Sequence, residues 1–187
     1  MGKLPKGTMM QDLRGELVPT WEEYERIIGM PLAKSLPYLF KGLYPSWALM
    51  TKLLRISNSK VQRERRNRNG LEGISRASLE DRLGQLQQEG DWRAFMHVYG
   101  LLIYGIVLFP HIEDYVDLGA IDAFLTKRDR GENSIIAILG NTYYSLHYCY
   151  ERNGKGLRCY TSLLYLWLMT HLFHNKRSAT CPIEDQH

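Results

Sequence analysis

Apolar residues recur three and four positions apart along most of the chain, and the residues flanking each such stretch mark where a helix starts and stops. In VPTWEEYERIIGMPL, Trp21, Tyr24, Ile27 and Ile28 share one helical face. Thr20 and Glu23 have the spacing of a capping box, and Gly29 before Met30-Pro31 ends the run. Ser46 caps a second helix reaching about Ile56, with Trp47, Met50, Leu53 and Leu54 turned inward. A third runs from Ser78 to about Gly90, with Leu79, Leu83 and Leu86 as its stripe. Asp91 and Pro110 bracket an apolar helix over about 92–109. A short helix from Asp117 carries Leu118, Ile121, Phe124 and Leu125. Another from Ser134 carries Ile135, Leu139, Tyr143 and Leu146. LRCY reads as a brief extended piece. TSLLYLWLMTHLF, capped by Thr161 or Ser162, is apolar nearly all round, which predicts a buried helix.

The resulting expectation is an all-α fold: one irregular bundle of six to seven helices around the buried helix at about 92–109, with little or no β-structure. The bundle spans 17–174, between a flexible lead-in at 1–16 and a disordered tail at 175–187. The stretch LLIYGIVLFP within the central helix raises the alternative of a membrane-associated helical protein anchored by 92–109. Eighteen residues rise about 27 Å, whereas a span needs about 20 predominantly apolar residues for about 30 Å of hydrocarbon. Arg93 and His97 interrupt the first turns, and the uncharged run from Val98 to Phe109 has the length of a core helix. The reading is therefore a core helix, with membrane contact the lesser alternative.

Composition changes this picture little: 44% of the 187 residues are hydrophobic and 24% charged, the ordinary balance of a globular chain. Charge placement changes it more. Between Arg55 and Arg68 stand six cations and one carboxylate, Glu64, a local net of +5 in a chain whose total is +4. This segment, SNSKVQRERRNRNGLEGIS with Arg55 before it, has few apolar residues and reads as a solvated loop or frayed helix. Its Lys60, Arg63, Arg65, Arg66 and Arg68 are the candidate nucleic-acid contacts, because clustered cations neutralise phosphates. The rival reading of the same residues is a solvated face or a nuclear-import signal. No aromatic residue is interleaved among them for base stacking.

Catalytic and metal chemistry find less support. Cys149, Cys159 and Cys181 form no disulfide framework, and the N-terminus has no apolar signal region, so the expectation is an intracellular protein. Nine residues separate Cys149 from Cys159 and two separate His171 from His174, spacings that fit no zinc finger. Glu113, Asp114 and Asp117 read as helix-entrance carboxylates. None of the motifs GxSxG, P-loop, HExxH or GxGxxG occurs, so the reading is a non-enzymatic protein with no catalytic residue, no cofactor and no metal. A hydrolase or transferase would need a deep pocket lined by groups such as His97, His147 and Asp117.

Three blocks carry a family resemblance. PTWEEYERIIGMPL resembles the segment PT-x-EEY-x-x-x-x-G-x-P of the aminotransferase-like plant mobile domain proteins and a related legume domain of unknown function. LLIYGIVLFPHIEDYVDLGAIDAFL and ILGNTYYSLHYCYERNGKGLRCYTSLLYLWLMTHL resemble the same legume group, in the same order, so the likeness covers about 17–174. What the resemblance implies is a retrotransposon-associated plant protein, with a nuclear interaction or nucleic-acid-associated role. The partner would be nucleic acid through the 55–68 segment, or a protein. Relatives in that group run longer at both ends, which implies a partial copy.

Overall fold

In the computed structural model of the chain, which describes residues 18–29, 35–68, 71–110, 114–152 and 157–174, helix α1 (Trp21–Ile28) is closed at both ends as its sequence predicts. The side chains of Arg68, Leu71 and His174 lie outside that description, as do the expected lead-in at 1–16 and tail at 175–187. Thr20 Oγ1 accepts from the Glu23 amide at 3.3 Å, and Glu23 Oε2 accepts from the Thr20 amide at 2.8 Å. Gly29 leaves the helix at φ 73°, a left-handed conformation that glycine adopts without steric penalty.

Eight α-helices are present among the described residues. After α1 come α2 (Trp47–Leu54), α3 (Asn58–Glu64), α4 (Arg76–Glu89), α5 (Trp92–Leu102), α6 (Leu118–Arg130), α7 (Ile135–Glu151) and α8 (Thr161–His174). Side-chain oxygens start α2, α5 and α6 where expected: Ser46, Asp91 and Asp117 accept from the amides of Leu49, Ala94 and Ala120 at 3.3, 3.1 and 2.6 Å. Each satisfies an amide that has no partner within its helix.

The expectation of little or no β-structure is corrected by a three-stranded antiparallel sheet in the order β1 (Arg65–Arg68), β2 (Leu71–Ser75), β3 (Tyr115–Asp117). Arg65 pairs with Ile74 across β1 and β2, and Ile74 with Val116 across β2 and β3. The strands are short and abut helices, β1 following α3 directly and β2 and β3 running into α4 and α6, so no apolar alternation is long enough to be read as one. Two of the three supply the buried residues Ile74, Tyr115 and Val116. Gly73 fits between the strands because a Cβ there would run into the Val116 carbonyl and the Tyr115 ring. The basic segment, expected as a loop or frayed helix, is α3 followed by β1. LRCY, by contrast, is not a strand: residues 157–160 are irregular and bury Cys159.

Buried side chains gather in two clusters. The first joins α2, α4, α5 and α6 to the sheet through Met50, Leu86, Val98, Leu101, Ile121 and their neighbours. The second joins α1, α7 and α8 through Tyr24, Ile135, Ile138, Leu139, Leu163 and Trp167. Phe109 packs against both. Fully burying one such large apolar side chain contributes about 1.5–3 kcal/mol.

The central apolar stretch is α-helical only to Leu102; Ile103–Leu108 continue as a π-helix. It supplies core residues as expected, but its outer face, Trp92, Met96 and Tyr99, lies in the open. Gly100 and Gly105 serve close approach. A Cβ on Gly100 would meet the Phe124 ring, and one on Gly105 would meet both Val116 methyl groups. The expectation for α8 is corrected as well. Leu163 and Trp167 are buried, whereas Tyr165, Leu166, Leu168, Leu172 and Phe173 are exposed, so only one side of the helix is covered.

Candidate functional site

The basic segment is held on ordered backbone from both sides. Ser57 caps α3, accepting from the Lys60 amide at 3.3 Å, and buried Val61 pins the helix to the core. At Arg65 the backbone turns extended (φ −60°, ψ 132°) and enters β1, which is registered against β2. Alternation along a strand then sends Arg65 to one face and Arg66 to the other.

The six cations of this segment fall into different roles. Arg65 is engaged internally: its guanidinium pairs with Glu72 and lies 5.1 Å above the Trp47 ring. Glu64, the segment's carboxylate, accepts from the Ser78 hydroxyl. Lys60 is half-buried beside Glu64 and Arg82. Arg63 and Arg66 are exposed and form no ion pair among the described residues; Arg66 Nη1 donates to the Arg63 carbonyl at 3.2 Å. Arg68 stands opposite Leu71 in the ladder. Arg55, at φ 50° after α2, pairs through Nη1 with Asp91 at 2.9 Å.

Arg55 also opens a second basic feature that sequence reading did not assemble. Lys52 from α2, Arg55 just after it, Arg93 and His97 from α5, and Arg128 from α6 surround a recess of about 210 Å³ floored by buried Leu53 and Ala94. These cations are spread over 77 residues of sequence, so no local charge run betrays them. Arg128 holds Asp129 with two bonds, Nε to Oδ1 at 2.6 Å and Nη2 to Oδ2 at 2.8 Å, which keep that carboxyl below its ordinary range. Burial, then repulsion from Arg128 and Arg93, pushes the His97 imidazole below its ordinary value; Asp129 acts in the opposite sense.

Residues 9–185 match the sequence family described as Domain of unknown function (DUF7745). The chain belongs to that family. No curated protein and no solved structure matches it.

The other candidate groups of this DUF7745 chain are dispersed. His97 lines the basic recess. Asp117 borders an aromatic groove of about 370 Å³ with Tyr38, Tyr44 and Phe109, and its carboxylate is engaged as the α6 cap. His147 is exposed on α7, 3.3 Å from Glu151 one turn on. The three do not line one pocket among the described residues. Cys159 is buried against Ser145 and Thr142, and burial pushes its thiol up. His171 lies 3.8 Å from Glu23. Among the described residues no three His, Cys, Asp or Glu side chains converge on a metal position, and no helix is long and apolar enough to cross a membrane.

Proposed function

We propose that this DUF7745 chain is a non-enzymatic, nucleic-acid-associated module that grips the phosphate backbone through the α3–β1 junction. The observation that carries this reading is the pair Arg63 and Arg66: exposed, without ion pairs among the described residues, and set on backbone ordered by a helix and a sheet. A cation paired with a carboxylate brings little net charge to a phosphate, whereas these two bring theirs in full. Lys60 and Arg68 extend the same basic stretch, while Arg65 acts through Glu72 and Trp47 to hold β1 in place. The resemblance of three sequence blocks to plant mobile domain relatives supports a plant protein of retrotransposon descent acting in the nucleus.

The test is titration against fluorescent duplex and single-stranded DNA at about 50 and about 200 mM salt, the range over which phosphate contacts are read. Arg63→Ala with Arg66→Ala is expected to weaken both and to lower the salt slope by about one for each phosphate no longer neutralised. Affinity that does not change with salt would refute the reading.

A second reading, an interaction module for protein, is favoured by α8. Between Thr161 and Phe173 that helix carries no Asp, Glu, Lys or Arg, and its outer face is exposed and apolar. A second copy of the chain fits such a face, because apposing two uncharged surfaces brings no like charges together. Light scattering over a concentration series is expected to show a dimer that Leu166→Glu with Leu172→Glu abolishes. A wild-type monomer at every concentration would dismiss it.

A further inference from the structure

We propose that the recess between α2, α5 and α6 is a phosphomonoester site in which Lys52 and Arg93 neutralise the dianion while Arg55 and Arg128 supply further N–H donors. This goes beyond the backbone-binding reading, because none of these four residues lies between 60 and 68.

The charge balance selects the ligand. Arg55 is paired with Asp91, and Arg128 with Asp129. Lys52 and Arg93 form no ion pair among the described residues, which leaves two uncompensated cations on one rim. A phosphomonoester carries about −1.5 to −2 charges at pH 7, a match that a monoanionic diester lacks. Arg55 meets Asp91 through Nη1 and Arg128 meets Asp129 through Nε and Nη2; with five N–H groups on a guanidinium, each has donors left for a phosphate oxygen. The buried floor of Leu53 and Ala94 keeps water from one side, and a low-dielectric wall behind like charges concentrates their field. At about 210 Å³ the recess is smaller than the roughly 300–1,000 Å³ of drug-sized sites, which suits a phosphate group with the start of its ester.

His97 makes occupancy observable. The groups that face it are Lys52 from α2, Arg55 just after α2, Arg93 from its own helix and Arg128 with Asp129 from α6. Glu89 of α4 is held by Arg82, and Asp91 by Arg55. A bound anion offsets the cationic repulsion that disfavours the imidazolium, so binding raises the His97 midpoint. Affinity alone is a poorer reporter, since phosphate itself loses its second charge near pH 6.

The experiment is an NMR pH titration of His97 in the full chain with inorganic phosphate, with AMP, and with sodium chloride at matched ionic strength. Phosphate and AMP are expected to move the midpoint upward, and chloride not to. Lys52→Gln with Arg93→Gln, both at exposed positions, is expected to weaken phosphate binding by about tenfold or more per cation removed. An equal shift in chloride would overturn the site, as would unchanged binding in that variant. So would an equal loss in Arg63→Ala with Arg66→Ala, which would signify a diffuse field. Binding of inorganic phosphate without AMP would overturn the ester assignment. Because DNA affinity is not read here, this outcome is independent of the backbone-binding test.

Discussion

Trp167 donates its indole N–H to Glu23 Oε2 at 2.8 Å, joining residues 144 positions apart. The same oxygen closes the capping box of α1. One carboxylate therefore ends a helix and docks another. Glu23→Ala removes half of the box, worth about 1 kcal/mol, and leaves a largely buried indole N–H without its acceptor, worth about 1–3 kcal/mol. A urea melt followed by tryptophan fluorescence is expected to show a fall of about 2 kcal/mol or more. Glu23→Gln keeps acceptor geometry and is expected to lose less than half of that. Equal losses in the two variants would remove the hydrogen bond from this account.

Alkaline pH reaches the same cluster through Tyr24. Its hydroxyl donates to Thr142 Oγ1 at 3.3 Å, and burial pushes its pKa from 10.0 up to about 12. Burial disfavours the phenolate, so the folded chain keeps the proton after the unfolded chain has lost it. Tyr24's contribution is thus fully present below pH 10 and is lost as pH rises through the interval to about 12. Tyr38, Tyr104 and Tyr143 are raised in the same direction, with burial the leading cause in each. The difference between wild type and Tyr24→Phe isolates Tyr24: the variant's stability is expected to fall less steeply across that interval. Parallel slopes would contradict the assignment.

Two glycines in helical segments should respond oppositely to alanine. At Gly105 a Cβ would collide with the Val116 methyls, so Gly105→Ala is expected to destabilise by about 1–3 kcal/mol, the usual penalty for overpacking. At Gly84, within α4, a Cβ meets nothing within 4 Å, so Gly84→Ala is expected to stabilise by up to about 1 kcal/mol. Thermal melts of both variants decide it. A stabilising Gly105→Ala would show that the π-helical turn and β3 can separate without penalty.

Arg82, 7% exposed, receives α2. It donates to the Leu54 and Arg55 carbonyls at 2.9 and 3.3 Å, and to Gln85 and Glu89 at 3.2 and 2.8 Å. Arg82→Met keeps the bulk but leaves these carbonyls without their donors, at an expected cost of about 3 kcal/mol. Hydrogen exchange in α2 is expected to accelerate ahead of exchange in α7. Uniform acceleration would point to global unfolding alone.

Helix boundaries written by local chemistry were legible in the sequence. Thr20 with Glu23, Ser46, Asp91 and Asp117 all cap where expected, since a cap acts within three residues. Inward stripes on α2 and α6 were equally readable, and Met50, Leu53, Leu54, Leu118, Ile121, Phe124 and Leu125 are all buried. The sheet was not. RRNR and LEGIS pair as a short hairpin without apolar alternation in RRNR, and the third strand joins by Ile74 meeting Val116, a partner more than 40 residues away, in the space that Gly73 leaves. The exposed side of α8 was hidden for the opposite reason: hydrophobicity all round says that a helix is insoluble alone, not which side another element covers. Of the candidate site, the cluster at 60–68 was visible as a charge run. Which cations are engaged was not visible, because Arg65 finds Glu72 only once the hairpin forms.

The ordering of the α3–β1 junction has a thermodynamic corollary. A disordered basic loop must surrender about 1–2 kcal/mol of backbone entropy for each residue that a ligand fixes, and it buries new apolar surface as it folds. Arg63 and Arg66 ride on backbone that Ser57, Val61 and the β1–β2 ladder have already immobilised. If the proposed phosphate contact forms there, it is a rigid-body docking. Its heat-capacity change should lie near zero, and its salt dependence should come from displaced counterions alone.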